Sequence, residues 1–380
     1  MPFCLAGLTN RLYDRRSSDH HGRVLDPAEL DWRLEPIARQ RNAEIQTYID
    51  QCKKEDSKVM KLLLLGGPAS GKSTVCKQMQ IIHKDGFQRP EQLDYYRILI
   101  HSNIMEIFRQ LIDGCSQVEI NLASLQKLIR RINRKFRLAV QEGGTLNPKL
   151  GQLLTAAWKS PQFQAVYHRH YEIDLLDSAK YWYSQLDRVC RLDFVPTPQD
   201  ILRSRAPTTG IFVTTFQFKN VRLKLVDVGG QKSQRRKWLH CFDDVKVVLF
   251  IVDLAGYAKK ADEAEEQTNN LQAALKIFQD ISTSRVLKNA FLLLFLNKLD
   301  IFEELLEQVD LSECFPDYDG ENYLDPAKHY IRELFLSVAP PKRGIFPYFT
   351  TATNTDNVEM VFQACMESVL KQSTKATGLA

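Results

Sequence analysis

Short apolar runs alternate with longer segments of helical periodicity along most of the chain. The runs Val59–Leu65, Val247–Val252 and Phe291–Leu296 have the length of buried strands. Ile211–Phe218 and Val221–Val226 flank a two-residue turn and predict a hairpin. Because these strands alternate with helical segments, the pattern predicts a mostly parallel sheet of the α/β class.

Several segments repeat apolar residues every three or four positions, which is typical of amphipathic helices. Thr74–Ile82 follows the first strand, and Gln267–Asp280 separates two later strands. Residues 90–195 have long helical periods and few β-branched runs, which predicts an all-helical block inserted between the first helix and the second strand. The last helix places five apolar side chains on one face: Val358, Val361, Phe362, Cys365 and Val369.

Composition excludes several classes of protein. The chain of 380 residues is 44% apolar and 26% charged, the balance of an ordinary soluble globular protein. No apolar run approaches the roughly 20 residues of a membrane-spanning helix. The net charge of +5, from 51 basic and 46 acidic residues, is too small to indicate nucleic-acid binding. The eight cysteines are not spaced as zinc ligands, and the N-terminal sequence does not resemble a signal peptide. We therefore expect reduced thiols, most of them in the core.

A basic stretch from Lys127 to Arg137 is interleaved with apolar residues. It could face acidic lipid or an acidic regulator. The spacing favours the plainer interpretation, which is the solvated face of an amphipathic helix.

Gly66–Ser73 satisfies the pattern G-x-x-x-x-G-K-[ST], with an apolar strand before it and a helical segment after it. Glycines let the backbone curl so that N–H groups and the helix N-terminus face phosphates. Lys72 reaches the terminal phosphates and Ser73 supplies an oxygen to Mg²⁺. A chance glycine turn is the alternative, and the order strand, motif, helix disfavours it.

Asn297-Lys298-Leu299-Asp300 directly follows the strand Phe291–Leu296. The Asp300 carboxylate can accept from both N1–H and the exocyclic amine of guanine, a donor pair that adenine lacks. The tetrapeptide is common by itself, but after a later strand of a P-loop fold it favours GTP. An ATP-dependent P-loop enzyme is therefore disfavoured.

Asp227-Val228-Gly229-Gly230-Gln231 ends the strand that begins at Val221. An aspartate there can hold Mg²⁺ through water, and a glycine N–H can meet a γ-phosphate. Gln231 is then close enough to orient a water. Taken alone, the segment is equally an ordinary strand-end turn.

From about Ile37 onward the sequence resembles the α subunits of heterotrimeric G proteins. The helical insert itself is a hallmark of that family. Further matches are Leu62–Gly66, Asp200–Arg205 with Thr208-Thr209-Gly210, Asp227–Gln231, Trp238–Phe242 and Phe295–Lys298.

The resemblance implies an α/β fold, in which a P-loop GTPase (Ras-like) domain with a mostly parallel sheet carries an inserted all-α helical domain. On this basis 1–36 is a loose N-terminal extension and 37–57 is an N-terminal helix. The Ras-like domain is 58–86 with 202–380, and the inserted helical domain is 87–201.

The resemblance also implies roles for individual residues. Arg205 would be a built-in arginine finger, and Gln231 would position the attacking water. Ser73 and Thr208 would be ligands of Mg²⁺, and segments 203–210 and 227–240 would be the switches. The implied contacts to GTP or GDP are Gly66, Ala69, Ser70, Gly71, Lys72, Ser73, Thr74, Asp177, Ser178, Leu202, Arg203, Ser204, Arg205, Thr208, Asp227, Val228, Gly229, Gly230, Gln231, Asn297, Lys298, Leu299, Asp300 and Ala352.

The P-loop departs from the family pattern G-A-G-E-S-G-K-S at two positions. Pro68 removes an N–H donor and fixes φ. Ala69 stands where the family has a glutamate that pairs with the switch arginine. These changes suggest an alternative function, a nucleotide-bound scaffold that no longer cycles. The presence of Arg205, Thr208 and Gln231 argues against it.

The resemblance implies a guanine-nucleotide-binding signal transducer that hydrolyses GTP to GDP. Its implied partners are a βγ dimer, a seven-helix receptor through the C-terminal helix, and an effector through switch II. It would associate peripherally with the cytoplasmic face of the plasma membrane. Pro2 excludes N-myristoylation, because that modification requires a glycine. Cys4 is a candidate for palmitoylation and equally for an unmodified thiol.

Overall fold

The computed structural model describes residues 39–48, 59–260 and 268–376. The chain divides into two compact units, and the second begins at Met60. In the first unit, residues 39–48 form helix α1. The rest of the predicted helix 37–57 and the predicted loose extension 1–36 lie outside the described residues, as do Pro2 and Cys4.

A sheet forms the centre of the second unit. Within the described residues it has six strands in the order β2-β3-β1-β4-β5-β6. The β2–β3 hairpin is antiparallel, and β1–β4, β4–β5 and β5–β6 are parallel. This confirms the predicted mostly parallel α/β sheet and its hairpin. The strands are β1 Val59–Leu65, β2 Ile211–Phe218, β3 Val221–Val228, β4 Val245–Asp253, β5 Phe291–Asn297 and β6 Ile345–Thr350.

The helices of this unit fall into two groups. Those outside the inserted block are α2 Lys72–His83, α10 Lys232–Arg235, α11 Asn270–Thr283, α12 Leu299–Leu306, α13 Leu311–Cys314, α14 Leu324–Ser337 and α15 Thr355–Ala376. Those of the inserted block are α3 Pro90–Gln117, α4 Gln126–Gln141, α5 Pro148–Trp158, α6 Pro161–His168, α7 Ala179–Ser184, α8 Leu186–Val189 and α9 Pro198–Arg203. Short 3₁₀ helices occupy Ala123–Leu125, His170–Glu172, Arg236–Cys241 and Leu254–Ala258.

Strand β1 is covered on both faces, which explains its continuous run of leucines. Leu63 and Leu65 belong to one buried cluster, together with residues of α11 and α14. Leu62 and Leu64 belong to a second cluster, together with residues of α2 and α15. All five predicted apolar positions of α15 are buried there.

The inserted block has a hydrophobic core of its own, built from residues between Ile100 and Phe194. Phe108, Phe163 and Trp182 are fully buried in it. Helix α4 contributes Ile132 and exposes most of its basic residues, as expected for the solvated face of an amphipathic helix. No helix in the described ranges is long and apolar enough to cross a bilayer.

The return from the inserted block to the sheet is fixed by the Asp200 carboxylate, which is fully buried. It accepts two hydrogen bonds from the Arg188 guanidinium, at 2.7 and 2.8 Å, and one from the Tyr181 hydroxyl at 2.8 Å. It also accepts from the N–H of Thr197 at 2.8 Å, which completes a capping box at the start of α9. Burial opposes ionisation, but these donors hold the pKa of Asp200 below its usual value.

We expect Asp200→Ala to lower the free energy of unfolding by roughly 2–4 kcal/mol, because the Thr197 cap and the Tyr181 hydroxyl lose their acceptor, while the partly exposed Arg188 can be rehydrated. Asp193→Ala is the matched control. Its pair with Arg191 is largely exposed, so we expect a much smaller change in the free energy of unfolding. Urea denaturation followed by circular dichroism measures both values. Equal losses in the two variants would contradict the importance of this buried carboxylate.

Candidate functional site

A cavity of about 470 Å³ opens at the carboxyl ends of the parallel strands, where ligands bind in open α/β sheets. The loops after β1, β3, β5 and β6 line it from the sheet side. Residues 176–178 of the inserted block and 202–208 of the connection to β2 line it from the other side. The cavity therefore lies between the sheet and the inserted block.

The loop after β1 has the backbone that its sequence predicts. Gly66 has φ 143° and Gly71 has φ 102°, values that side chains rarely permit. A Cβ on Gly66 would lie 2.1 Å from the Ile251 carbonyl oxygen, and one on Gly71 would lie 2.3 Å from Asn297 Nδ2. The loop thus curls tightly, and α2 begins at Lys72 with its N-terminus at the cavity.

The Lys72 ammonium is buried inside this loop. Its Nζ donates to the carbonyl oxygens of Gly66 at 3.1 Å and Gly67 at 2.5 Å, and to Ser70 Oγ at 3.3 Å. Burial lowers the pKa of Lys72 to about 8, although the Asp227 carboxylate opposes the change. A cation is therefore held where the motif predicts contact with terminal phosphates.

Three oxygen-bearing side chains meet beside Lys72, each from a different element. Ser73 Oγ donates to Asp227 Oδ2 at 2.7 Å and lies 2.8 Å from Thr208 Oγ1. Asp227 Oδ1 is buried and has no hydrogen-bond partner among the described residues. Burial raises the pKa of Asp227 despite the hydrogen bond from Ser73.

This oxygen cluster suits Mg²⁺, a hard cation that uses one or two carboxylates together with phosphates and water. Across the described ranges, no group of three or more His, Cys, Asp or Glu side chains could hold a metal ion. The hydroxyls of Ser73 and Thr208 and the unpartnered oxygen of Asp227 are the donors that fit the ion.

Residues 229–231 pack closely against the P-loop and the connection to β2. A Cβ on Gly230 would lie 2.4 Å from Lys72 Nζ, and one on Gly229 would lie 2.5 Å from the Thr208 carbonyl oxygen. The Gly229 carbonyl also accepts from Trp238 Nε1 at 2.9 Å. Only glycine fits at these two positions, so Gln231 is brought to the edge of the cavity.

The far end of the cavity is organised by Asn297, which is buried. Its Nδ2 donates to the Ser70 carbonyl at 2.8 Å, and its Oδ1 accepts from the Ala352 N–H at 2.9 Å. Oδ1 also accepts from the Thr350 hydroxyl at 3.2 Å. Asn297 therefore connects the P-loop to the loop after β6, while Asp300 lines the cavity nearby.

Lys298 has φ 64° and carries its ammonium into a network of charges. Its Nζ lies 2.6 Å from Asp177 Oδ2 and 2.5 Å from Asp253 Oδ2, and Lys259 Nζ lies 2.8 Å from Asp177 Oδ1. Burial opposes ionisation, yet the two lysines hold the pKa of Asp177 well below its usual range. Asp177 thus links the inserted block to the sheet side of the cavity.

Most of the predicted site residues line this one cavity, and four do not. The side chains of Val228 and Leu299 pack in or against the hydrophobic core beneath it. Gly66 and Gly229 do not line the cavity, but the close packing around them fixes the conformation of its loops. Several further residues line the cavity or hold its wall but were not predicted from the sequence: Lys77, Tyr95, Tyr96, Asn103, Asp253 and Lys259. Lys77 could have been predicted, because it is a long basic side chain on the helix that follows the P-loop. No sequence motif marks the other five residues.

Comparison with known proteins agrees with this geometry. A model of the G-protein alpha subunit family matches residues 39–369. The guanine nucleotide-binding protein alpha-14 subunits of Caenorhabditis briggsae and Caenorhabditis elegans are 43% and 41% identical to the chain. Each comparison covers 99% of this chain and 96% of the relative. The alpha-6 subunit of Caenorhabditis elegans is 36% identical over 91% of this chain and 96% of its own length.

The chain belongs to the G-protein alpha subunit family. The predicted fold class is confirmed, namely a Ras-like GTPase domain with an inserted helical domain. Proteins of this family are GTPases that bind GTP and GDP with Mg²⁺ and act as signal transducers.

We expect the affinity for GTP to fall as the pH rises above about 8. Burial gives Lys72 a pKa of about 8, and phosphates beside it favour its charged form. Binding above that pH then takes up a proton, which weakens affinity by up to about tenfold per pH unit. Titration with a fluorescent GTP analogue between pH 7 and 9 measures the effect.

Two arginine variants identify the titrating group in that experiment. Lys72→Arg keeps its charge and should flatten the pH dependence. Lys77, whose pKa burial also lowers to about 8, lies outside the P-loop, so Lys77→Arg should retain it. A dissociation constant of the parent protein that stays constant over this range would contradict the expectation.

Proposed function

We propose that this chain is a signalling GTPase that hydrolyses GTP in the described cavity and couples a seven-helix receptor to an effector. The observation that carries the proposal is the convergence of Ser73, Thr208 and Asp227 beside the buried Lys72 ammonium. Hydroxyl, carboxylate and ammonium groups in this arrangement match what a nucleoside triphosphate with Mg²⁺ requires.

Binding depends on the P-loop and the start of α2. Their N–H groups and the helix N-terminus face the phosphates, and Lys72 adds a charge that water does not screen. The bound Mg²⁺ supplies neutralisation of phosphate charge. Ser73 and Thr208 are its proposed ligands, and Asp227 is proposed to hold the ion through water.

Hydrolysis requires little covalent chemistry from the protein, so positioning and electrostatics supply most of the catalysis. Gln231 is proposed to orient the attacking water. The Arg205 guanidinium is proposed to stabilise charge on the transferring phosphoryl group. Both residues line the cavity, and both are exposed enough to adjust to the nucleotide.

Selection of guanine is assigned to the far end of the cavity. Asp300 is exposed at its wall and can accept from the two guanine donors. Lys298 and the Ala352 backbone are proposed to flank the base. The ion pairs of Lys298 and Lys259 with Asp177 then join the two walls of the cavity beside the nucleotide.

The proposed switches are the segments 203–210 and 227–240, which border the γ-phosphate end. A γ-phosphate and Mg²⁺ would order them, and hydrolysis would release them. In the second switch Trp238 is buried while Leu239 is 67% exposed, so a partner protein can contact this surface. A βγ dimer and an effector are its proposed partners, and α15 is proposed to carry the receptor contact.

We also propose the domain division 58–86 with 202–380 against 87–201. It is supported by the separate core of the inserted block, whose members lie between Ile100 and Phe194. Peripheral attachment to the plasma membrane, with Cys4 as a candidate palmitoylation site, completes the proposal. The comparisons give no support to the alternative of a scaffold that does not cycle.

Arg205→Cys and Gln231→Leu should each slow single-turnover GTP hydrolysis by about 10²-fold or more, because both groups act mainly in the transition state. The affinity for GTP should remain within a few-fold of that of the parent protein. Quenched-flow measurement of phosphate release, with GTP dissociation constants from fluorescence, tests both statements. Equal hydrolysis rates in parent and variants would instead favour a non-cycling scaffold.

Asp300→Asn should weaken GTP binding and shift preference toward xanthosine triphosphate. The amide no longer accepts both guanine donors, whereas it can donate to the extra carbonyl of xanthine. Competition of the two nucleotides, and of ATP, against a fluorescent GTP analogue measures the preference. Competition by ATP as strong as that by GTP in the parent protein would show that the guanine assignment is wrong.

A further inference from the structure

Asn103 lies on helix α3 of the inserted block and is 7% exposed. Its Nδ2 donates to the carbonyl oxygen of Arg205 at 2.8 Å, and its Oδ1 accepts from the N–H of Arg205 at 2.7 Å. One side chain thus satisfies both main-chain polar groups of a single residue far away in the sequence. The residue that it holds is the proposed catalytic arginine.

A second, partly buried group holds the chain immediately before Arg205. Lys77 Nζ donates to the carbonyl oxygens of Ile201 and Ser204, both at 2.8 Å, and to Ser204 Oγ at 3.1 Å. The Ser204 N–H in turn donates to the Asp200 carbonyl at 3.0 Å. The main chain leading to Arg205 is therefore fixed from α2 and from the inserted block.

The Arg205 side chain differs from its main chain. It is exposed and lines the cavity, and no hydrogen bond or ion pair of its guanidinium occurs within the described part of the chain. Ala69 supplies no carboxylate to restrain it. The orientation of the guanidinium then depends on where the backbone of Arg205 is held.

We propose that Asn103 is a positioning residue for GTP hydrolysis, which holds the Arg205 backbone so that its guanidinium meets the transferring phosphoryl group. The inference rests on the proposed role of Arg205. An amide is suited to this task, because it supplies a donor and an acceptor side by side. A pre-held backbone lowers the entropy that Arg205 must lose on reaching the transition state.

Asn103→Ala tests the inference in full-length protein. We expect single-turnover hydrolysis to slow by about 10- to 100-fold, with dissociation constants for GTP and GDP within about twofold of the parent values. Asn103→Asp has the same size and keeps the acceptor for the Arg205 N–H, so it should fold and be slowed as well. Asn133→Ala, which removes an exposed asparagine on α4, is the matched control and should hydrolyse GTP at the parent rate.

A double-mutant cycle separates positioning from general destabilisation. In an Arg205→Cys background, Asn103→Ala should produce no further slowing, because the group that it positions is gone. Hydrogen exchange of peptides covering 203–210 supplies a readout independent of activity. Exchange at the Arg205 amide should be faster in Asn103→Ala than in the parent protein and the Asn133→Ala control.

The outcomes distinguish this inference from the proposed function. Slow hydrolysis in Arg205→Cys combined with the parent rate in Asn103→Ala and Asn103→Asp would overturn the positioning role alone. An equal slowing by Asn103→Ala in the presence and absence of Arg205 would overturn it too. An Arg205→Cys variant as fast as the parent protein would remove the proposed role of Arg205 and, with it, the inference.

Discussion

The buried amide of Asn297 is the interaction on which the rest of the cavity depends. It donates to the P-loop at Ser70 and accepts from the loop after β6 at Ala352, so two loops distant in sequence are fixed to the end of β5. Gly71 must be a glycine because the same amide occupies the space of its side chain. The proposed phosphate end and the proposed base end of the cavity therefore share one support, whose loss would affect both ends together.

The inserted block contributes directly to the cavity. Asp177 crosses to two lysines of the sheet side, and Asn103 holds the backbone of Arg205. Asp200 and Arg188 determine how the chain returns to the sheet. Contacts that stabilise the fold at this junction are thus the same contacts that set the geometry of the proposed switch.

Local sequence patterns predicted the parts of the molecule whose structure is local. The P-loop from Gly66 to Ser73 and the strands β1, β4 and β5 follow from glycine conformation and from continuous apolar runs that are buried on both faces. Strand β6 escaped prediction because it is only partly buried and contains Pro347, which weakens a strand signal. Asn103 and Lys259 also escaped it, since each is a single polar residue whose partner lies more than 80 positions away in the chain. The nucleotide and catalytic roles of the individual site residues remain predictions.

The insertion also governs the order in which the chain can fold. Lys61 of β1 donates to the carbonyl of Asp243, just before the neighbouring strand β4, across 182 residues of sequence. At about 5–20 residues per second, a ribosome needs roughly 10–40 s to synthesise that interval. The inserted block has only contacts of shorter range in its core and can form within this time. Strand β1, with its four consecutive leucines, meanwhile lacks both its neighbour β4 and the later helices that cover its faces. The nascent chain therefore depends on protection from aggregation until these elements have emerged.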